Sequence, residues 1–134
     1  MTIAVDFDGT IVEHKFPEIG KEKPFAIDTL LQLQEDGNRL ILWTSREGEL
    51  LDAAIAFCHE RGLDFYAVNS NQPQGALFAG RTASSAKVVA DVYIDDRNLG
   101  GLPDWGTIYA IICEKRERKH KASRKRRWRL FRHR

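Results

Sequence analysis

The sequence has few cysteines and no long apolar run, and each scarcity excludes a class of protein. Its 134 residues include 2 cysteines, Cys58 and Cys113, with neither a CxxC pair nor a histidine at metal-ligand spacing. A disulfide framework and a thiolate metal site are therefore excluded, and we expect two reduced thiols in a cytoplasmic protein. The longest nearly apolar run, residues 108–113, is too short to span a bilayer, so we expect no membrane partner. The first residues also lack the basic and apolar segments of a secretory signal.

Length and composition predict one globular domain with an uneven distribution of charge. Hydrophobic residues make up 43% of the chain and charged residues 30%, which is typical of soluble globular proteins. The net charge is +2, but residues 114–134 hold 12 of the 21 Lys and Arg and 2 of the 19 Asp and Glu. We therefore divide the chain into an acidic domain, residues 1–113 with a net charge of −8, and a basic extension, residues 114–134 with +10.

Strand-like and helix-like segments alternate along residues 1–113. The predicted strands cover residues 3–7, 39–43, 65–68 and 91–94. The predicted helices start at Pro24, at about Glu47 and at Trp105, the last with Asp104 as its N-cap. This alternation favours an α/β fold with a mostly parallel sheet of about four strands and helices on its faces. Such sheets bind ligands at the carboxyl ends of their strands.

The first predicted strand ends in two closely spaced aspartates, within Asp6-Phe7-Asp8-Gly9-Thr10. Side chains alternate along a strand, so Asp6 and Asp8 leave on one side while Phe7 points into the core. Two carboxylates this close repel each other unless a cation or a shared proton holds them. The alternative is an ordinary Asp-Gly turn. A calcium loop is excluded because the third ligand position is missing.

The second and fourth predicted strands also end in polar residues. Thr44 and Ser45 come just before a helix, where a hydroxyl can donate to a phosphate or simply cap the helix. Asp95 and Asp96 either complete a cation site or form a solvated turn, and Lys87 upstream of them is either a site cation or a surface lysine.

These motifs, taken in this order over residues 3–98, resemble the haloacid dehalogenase (HAD) superfamily, and DxDGT is the most specific of them. The resemblance implies a three-layer Rossmann-like sandwich. In that family the first aspartate is the nucleophile and the second the general acid/base, and these match Asp6 and Asp8. The strand-end hydroxyl and the lysine that hold the phosphoryl group match Thr44 and Lys87.

The resemblance also implies a magnesium cofactor and a phosphorylated small-molecule substrate. Asp95 and Asp96 match the acidic pair that completes the Mg²⁺ site with Asp6 and the backbone carbonyl of Asp8. The expected reaction is hydrolysis of a phosphate monoester through an aspartyl phosphate. An acid two residues after the nucleophile favours a phosphatase over a dehalogenase, because a halide needs no proton to leave. The neighbouring residues expected to contact substrate are Gly9, Thr10, Ser45 and Arg46.

The sequence departs from commoner members of that superfamily in two respects. It has no insert large enough for a cap domain, so we expect a capless enzyme whose open site relies on loops, a second subunit or a large substrate. Lys87 also lies unusually close to Asp95, so Arg81 or Arg46 is an alternative cation. The alternative function is a phosphate- or nucleic-acid-binding module on the same fold with little turnover.

The basic extension, which contains Trp128 and Phe131 at helical spacing, has three interpretations. The first is a solvated, helical extension that favours solubility. The second is self-association, in which the extension lies on the acidic domain of another copy. The third, ranked last because a basic run is a weak signal, is an electrostatic arm for nucleic acid or for an anionic membrane surface.

Overall fold

A four-stranded, all-parallel sheet lies at the centre of the structure, a computed structural model that describes residues 1–73 and 88–132. Its strands are β1 (Thr2–Val5), β2 (Arg39–Leu42), β3 (Ala67–Val68) and β4 (Val92–Ile94), in the order β3-β2-β1-β4. The α/β class and the parallel sheet predicted from the sequence are thereby confirmed.

The first strand has a neighbour on each side, and this arrangement places the polar strand ends together. Val5 pairs with Leu42 of β2 on one side and with Ile94 of β4 on the other. The pairing continues past the strand, because the Asp6 amide donates to the carbonyl of Ile94 at 3.0 Å. The residues that follow β1, β2 and β4 therefore meet at one edge of the sheet.

Three helices pack on one face of the sheet: α1 (Ala26–Glu35), α2 (Gly48–Glu60) and α3 (Trp105–Arg132). Alternate strand residues such as Ile3 and Leu40 face them, with the period of two that a pleated strand imposes. Residues that these strands and helices bury together in this core are Ile3, Val5, Leu30, Leu33, Leu40, Leu42, Ala54, Cys58, Ile108 and Ile112.

The other face of the sheet carries Ala4, Ile41 and Ala67, packed with Val88 and the partly buried Trp43. Within residues 1–73 and 88–132, no helix covers this face. The structure thus describes two layers of the predicted three-layer sandwich.

Helix α1 begins later than the sequence indicates. Pro24 was the predicted start, but Phe25 has a left-handed backbone (φ 65) and the helix follows it from Ala26. The prediction for α3 is confirmed at its start, where Asp104 Oδ1 accepts a hydrogen bond from the Thr107 amide at 2.9 Å. This helix has 28 residues, so the basic extension continues it as far as Arg132.

Neither cysteine is in a disulfide, and Cys58 is buried in the core. Burial raises the pKa of the Cys58 thiol to about 12, so it stays protonated. Among the helices that the structure describes, none combines the length and apolarity needed to cross a membrane.

Candidate active site

Three carboxylates meet where β1 and β4 end. Asp6 follows β1, Asp95 and Asp96 follow β4, and one oxygen of each lies within 4.8 Å of the others. All three side chains are partly buried. Side chains of one sign at this separation repel one another unless a cation lies between them.

The electrostatics of Asp6 reflect this crowding. Burial, and next the neighbouring Asp95 carboxylate, raise the pKa of Asp6 to about 7. The hydroxyl of Thr10 opposes the shift by donating to Asp6 Oδ2 at 3.2 Å. An ionised Asp6 is therefore costly here without a counter-ion, and a bound cation would remove that cost.

Thr10 and Gly9 hold the two strand ends together. Thr10 is fully buried, and its hydroxyl accepts from the Asp96 amide at 3.1 Å while it donates to Asp6. Gly9 has φ +82, and a Cβ built on it would lie 2.2 Å from Asp96 Oδ2. Glycine is needed at this position both for its backbone conformation and for the close approach of Asp96.

Asp8 makes a two-pronged ion pair with Arg46. The Arg46 Nε donates to Asp8 Oδ2 at 2.7 Å, and its NH2 donates to Asp8 Oδ1 at 2.8 Å. The remaining N–H groups of the guanidinium donate to the backbone carbonyls of Pro17, Glu18 and Leu50. Arg46 therefore has no donor left for a phosphate.

The environment of Arg46 explains how a charged side chain is buried here. The guanidinium lies 5.2 Å from the ring centroids of both Phe7 and Phe16, and the residue is 1% exposed. A fully hydrogen-bonded cation between two aromatic rings tolerates burial. Through its carbonyl partners Arg46 also holds the loop of residues 13–23 against the site.

Thr44 marks the end of β2 at the same edge. Its amide donates to Asn69 Oδ1 at 2.8 Å, and its hydroxyl oxygen accepts from the Arg46 amide at 3.2 Å. Accepting one hydrogen bond leaves the hydroxyl proton available as a donor. The helix-capping role considered for this residue is not observed, because α2 begins at Gly48, its N-cap is Glu47, and the Arg46 amide that Thr44 binds lies before the helix.

An open cleft of about 500 Å³ lies over these groups. Its floor contains Asp6, Asp8, Thr44 and Asp95. The other residues that line it are His14, Phe16, Trp43, Ser45, Asn69 and Arg97. The cleft thus combines carboxylates, a hydroxyl, a cation and two aromatic walls.

Comparison with known proteins finds similarity to one solved structure. Neither a protein-family model nor a curated protein matches the sequence. A solved structure described as that of a conserved protein from Bacteroides thetaiotaomicron is 59% identical, with a TM-score of 0.77 over 86% of this chain and 91% of the other. The chain belongs to the family of that conserved protein.

In this member of the family, the predicted site residues divide into two groups. Asp6, Asp8, Thr44, Ser45 and Asp95 line the cleft, and Asp96 joins the carboxylate cluster. In contrast, Thr10 and Arg46 are buried beneath the cleft and bind other parts of the protein.

The predicted lysine, Lys87, and one of its two alternatives, Arg81, lie outside the described residues, whereas the other alternative, Arg46, is buried and paired with Asp8. Lys87 and Arg81 both fall within residues 74–87, which the structure does not describe.

The sequence prediction did not single out Phe16, Trp43 or Arg97 as site residues. Arg97 directly follows the acidic pair after β4, so the rule that parallel strands end at one edge would have found it. Trp43 directly follows β2 and falls under the same rule. Phe16 belongs to an irregular loop, whose position relative to the sheet has no signal in the sequence.

Proposed function

We propose that this protein is a Mg²⁺-dependent phosphatase that hydrolyses a phosphate monoester through Asp6. The observation that carries the proposal is the cluster of three carboxylates at an open cleft that Asp8 and Thr44 also line. The order of the motifs along the chain, which resembles that of the HAD superfamily, supports the same reaction class.

The donor set of the cluster fits magnesium. Asp6, Asp95 and Asp96 offer carboxylate oxygens, which are hard ligands, and neither a histidine nor a cysteine belongs to the cluster. The family resemblance adds the backbone carbonyl of Asp8. When bound, Mg²⁺ would neutralise the charge of the phosphate and of the carboxylates around it.

In the proposed reaction, Asp6 attacks the phosphorus and the bond to the leaving oxygen breaks. Asp8 gives its proton to that oxygen, and an aspartyl phosphate remains on Asp6. Water then attacks the phosphorus of this intermediate, Asp8 takes a proton from the water, and inorganic phosphate leaves. Both residues are restored, so the cycle consumes one ester and one water.

Arg46 positions Asp8 for this role. Each Asp8 oxygen accepts one N–H from Arg46, and a carboxylate oxygen has a second lone pair that can carry the proton. Asp8 is 13% exposed and lines the cleft, so the free lone pairs are accessible to a substrate. Because Arg46 is fully occupied, we assign it to positioning instead of phosphate binding.

The phosphoryl oxygens would be held by Thr44 and by a cation at the rim of the cleft. Thr44 contributes its free hydroxyl proton, and Ser45 and Arg97 line the same cleft. Lys87 remains the candidate that the resemblance implies. The aromatic walls formed by the exposed Phe16 and the partly buried Trp43 suit a leaving group with an apolar or aromatic part. We propose that the enzyme acts without a cap domain.

Phosphate release from an aryl phosphate tests the proposal. Purified protein should release inorganic phosphate with Mg²⁺ and lose this activity with a chelator, and Asp6→Asn should abolish turnover because the amide cannot act as the nucleophile. Asp52→Asn, an exposed acid on α2, is the matched control and should keep full activity.

Two results would contradict the proposed function. If Asp6→Asn retains wild-type phosphate release, or if the wild type is inert over a panel of phosphorylated metabolites and aryl phosphates, the proposed function is wrong.

A further inference from the structure

The last turns of α3 form a surface that the proposed hydrolysis does not use. We call residues 120–132 the basic arm. Every residue of it is exposed, whereas the first half of the same helix buries Trp105, Ile108 and Ile112 in the core. The helix is therefore anchored at one end and projects at the other.

The arm leaves the domain at the edge opposite the cleft. At its start, α3 is tied to the site, where the Trp105 indole N–H donates to the Thr10 carbonyl at 3.3 Å. Further along, Arg116 donates to the carbonyl of Asp36, and Lys119 pairs with Asp91 at 2.9 Å, and these two acceptors lie just before β2 and β4. A helix rises about 1.5 Å per residue, so the centre of the arm is roughly 30 Å from Trp105.

The charge of the arm is dense and unpaired. Seven of its 13 residues are Lys or Arg and none is acidic. In the part of the chain that the structure describes, none of the seven forms an ion pair. Over a length of about 20 Å this gives one positive charge per roughly 3 Å, distributed around the helix, so several of these side chains can contact phosphates of a bound strand at once.

Aromatic rings lie within this charge. Trp128 is 70% exposed and Phe131 is 75% exposed. They share one helix face with Arg124 and Arg127, and the four side chains line a hollow of about 430 Å³. Guanidinium groups beside open aromatic faces offer both phosphate contacts and surfaces on which bases can stack.

From this arrangement we infer that the basic arm binds single-stranded nucleic acid. A single strand offers phosphates to the Lys and Arg side chains of the arm and unpaired bases to Trp128 and Phe131. Because the arm points away from the cleft of its own chain, the strand it binds is not the substrate of that cleft. The inference is therefore independent of the proposed hydrolysis.

Two other partners fit the arm less well. A membrane requires an apolar helix face, but Leu130 lies about 200° around the helix from Trp128, and Lys or Arg surrounds both. A second copy would have to present a dense acidic strip, and four of the 17 acidic residues in the domain are already engaged, since Asp6, Asp95 and Asp96 form the carboxylate cluster and Asp8 is paired with Arg46.

Fluorescence anisotropy with a labelled oligothymidylate of about 20 nucleotides tests the inference on the full chain. We expect binding that weakens with salt, with a slope of log affinity against log salt of about −3 to −5, since each neutralised phosphate contributes about −0.7. Lys125→Gln should reduce the steepness of this slope. Lys21→Gln, the same change on the surface of the domain, should not.

A pair of alanine substitutions tests whether bases stack on Trp128. Trp128→Ala should weaken binding by about tenfold or more, whereas Leu130→Ala, equally exposed on another face, should change it less than twofold. Asp6→Asn should bind as the wild type does, which separates this inference from the catalytic one.

Three results would each overturn the inference. The first is no anisotropy change at about 50 mM salt. The second is binding to duplex that is as tight as binding to the single strand and insensitive to Trp128→Ala. The third is absence of oligonucleotide binding together with arm-dependent binding to phosphatidylserine vesicles or arm-dependent dimerisation measured by light scattering.

Discussion

The guanidinium of Arg46 donates hydrogen bonds to both carboxylate oxygens of Asp8, at 2.7 and 2.8 Å, and lies 5.2 Å from the ring centroids of Phe7 and Phe16. The two residues are 38 positions apart in the sequence, and they join the end of β1 to the end of β2. The proposed general acid is thus held by a residue that is itself fixed in the protein interior.

Replacing Arg46 with lysine should separate the positioning of Asp8 from the effect of the positive charge beside it. Lysine keeps the positive charge but cannot donate to both Asp8 oxygens and three carbonyls. We expect the free energy of unfolding to fall by about 2–3 kcal/mol, since each hydrogen bond to a charged group contributes about 1.5–3 kcal/mol. We also expect kcat/KM for an aryl phosphate to fall at least tenfold while Mg²⁺ affinity is retained. Urea unfolding and calorimetry measure these quantities, with Arg61→Lys as the control. Unchanged kcat/KM would show that Arg46 does not position the acid.

Magnesium should stabilise the protein through the three carboxylates. At a tenfold excess over its Kd, a ligand specific for the folded state adds about 1.4 kcal/mol to the free energy of unfolding. Asp96→Asn should stabilise the metal-free protein, because it removes a like charge, and should also abolish the Mg²⁺ effect. Asp52→Asn should do neither. Thermal unfolding with Mg²⁺ or a chelator distinguishes these outcomes. If Mg²⁺ raises the Tm of the wild type and of Asp96→Asn equally, the proposed magnesium site is refuted.

Gly9→Ala and Gly62→Ala form a matched pair with almost the same backbone conformation. Gly9 has φ +82 and Gly62 has φ +83, so both substitutions carry the left-handed penalty of roughly 1–2 kcal/mol. A Cβ at Gly62 meets nothing within 4 Å, whereas at Gly9 it would meet Asp96. We expect Gly9→Ala alone to weaken Mg²⁺ binding, by tenfold or more. Equal Mg²⁺ affinities in the two variants would mean that Asp96 is not a ligand.

The bond between Asp36 and Tyr109 predicts a pH dependence of stability. The Tyr109 hydroxyl donates to Asp36 Oδ2 at 2.7 Å, and this bond, followed by that of Gln32, holds the pKa of Asp36 below its usual value of 3.8. The unfolded chain thus takes up this proton first as pH falls, so the stabilisation is present above about 3.8 and is lost as pH falls through the folded-state pKa.

Tyr109→Phe should remove that contribution. Measured by urea unfolding, the wild type should lose more stability than Tyr109→Phe below pH 3.8. Tyr66→Phe, whose hydroxyl accepts from Arg39 instead of bonding to a carboxylate, should follow the wild type. Parallel pH profiles for wild type and Tyr109→Phe would contradict this prediction.

The sequence predicted the sheet and the meeting of its carboxylates because both follow from local patterns. Apolar strands of two to four residues are interspersed with helices, and parallel strands must end at one edge, so the sequence alone places Asp6 and Asp95 together. The catalytic roles of these residues stay predictions.

The burial of Arg46 and its hydrogen bonds to the loop could not be predicted in the same way. Its burial depends on the carbonyls of Pro17 and Glu18, which belong to a loop without periodicity and reach the site through tertiary contacts. The start of α1 was missed for a similar reason, since Phe25 is left-handed although its residue type gives no sign of it. Backbone conformation in irregular segments is decided by packing that no local pattern encodes.

The central place of β1 has a consequence for the order of folding. Asp6 comes near the beginning of the chain, but Asp95 and Asp96 reach it only when β4 pairs with β1, a contact that spans about 89 residues, as between Ile3 and Val92. Closing so long a loop is among the slowest steps available to a small domain. The carboxylate cluster is thus complete only after the last strand docks, and if it is the proposed Mg²⁺ site, the appearance of Mg²⁺ affinity during refolding would report that final step.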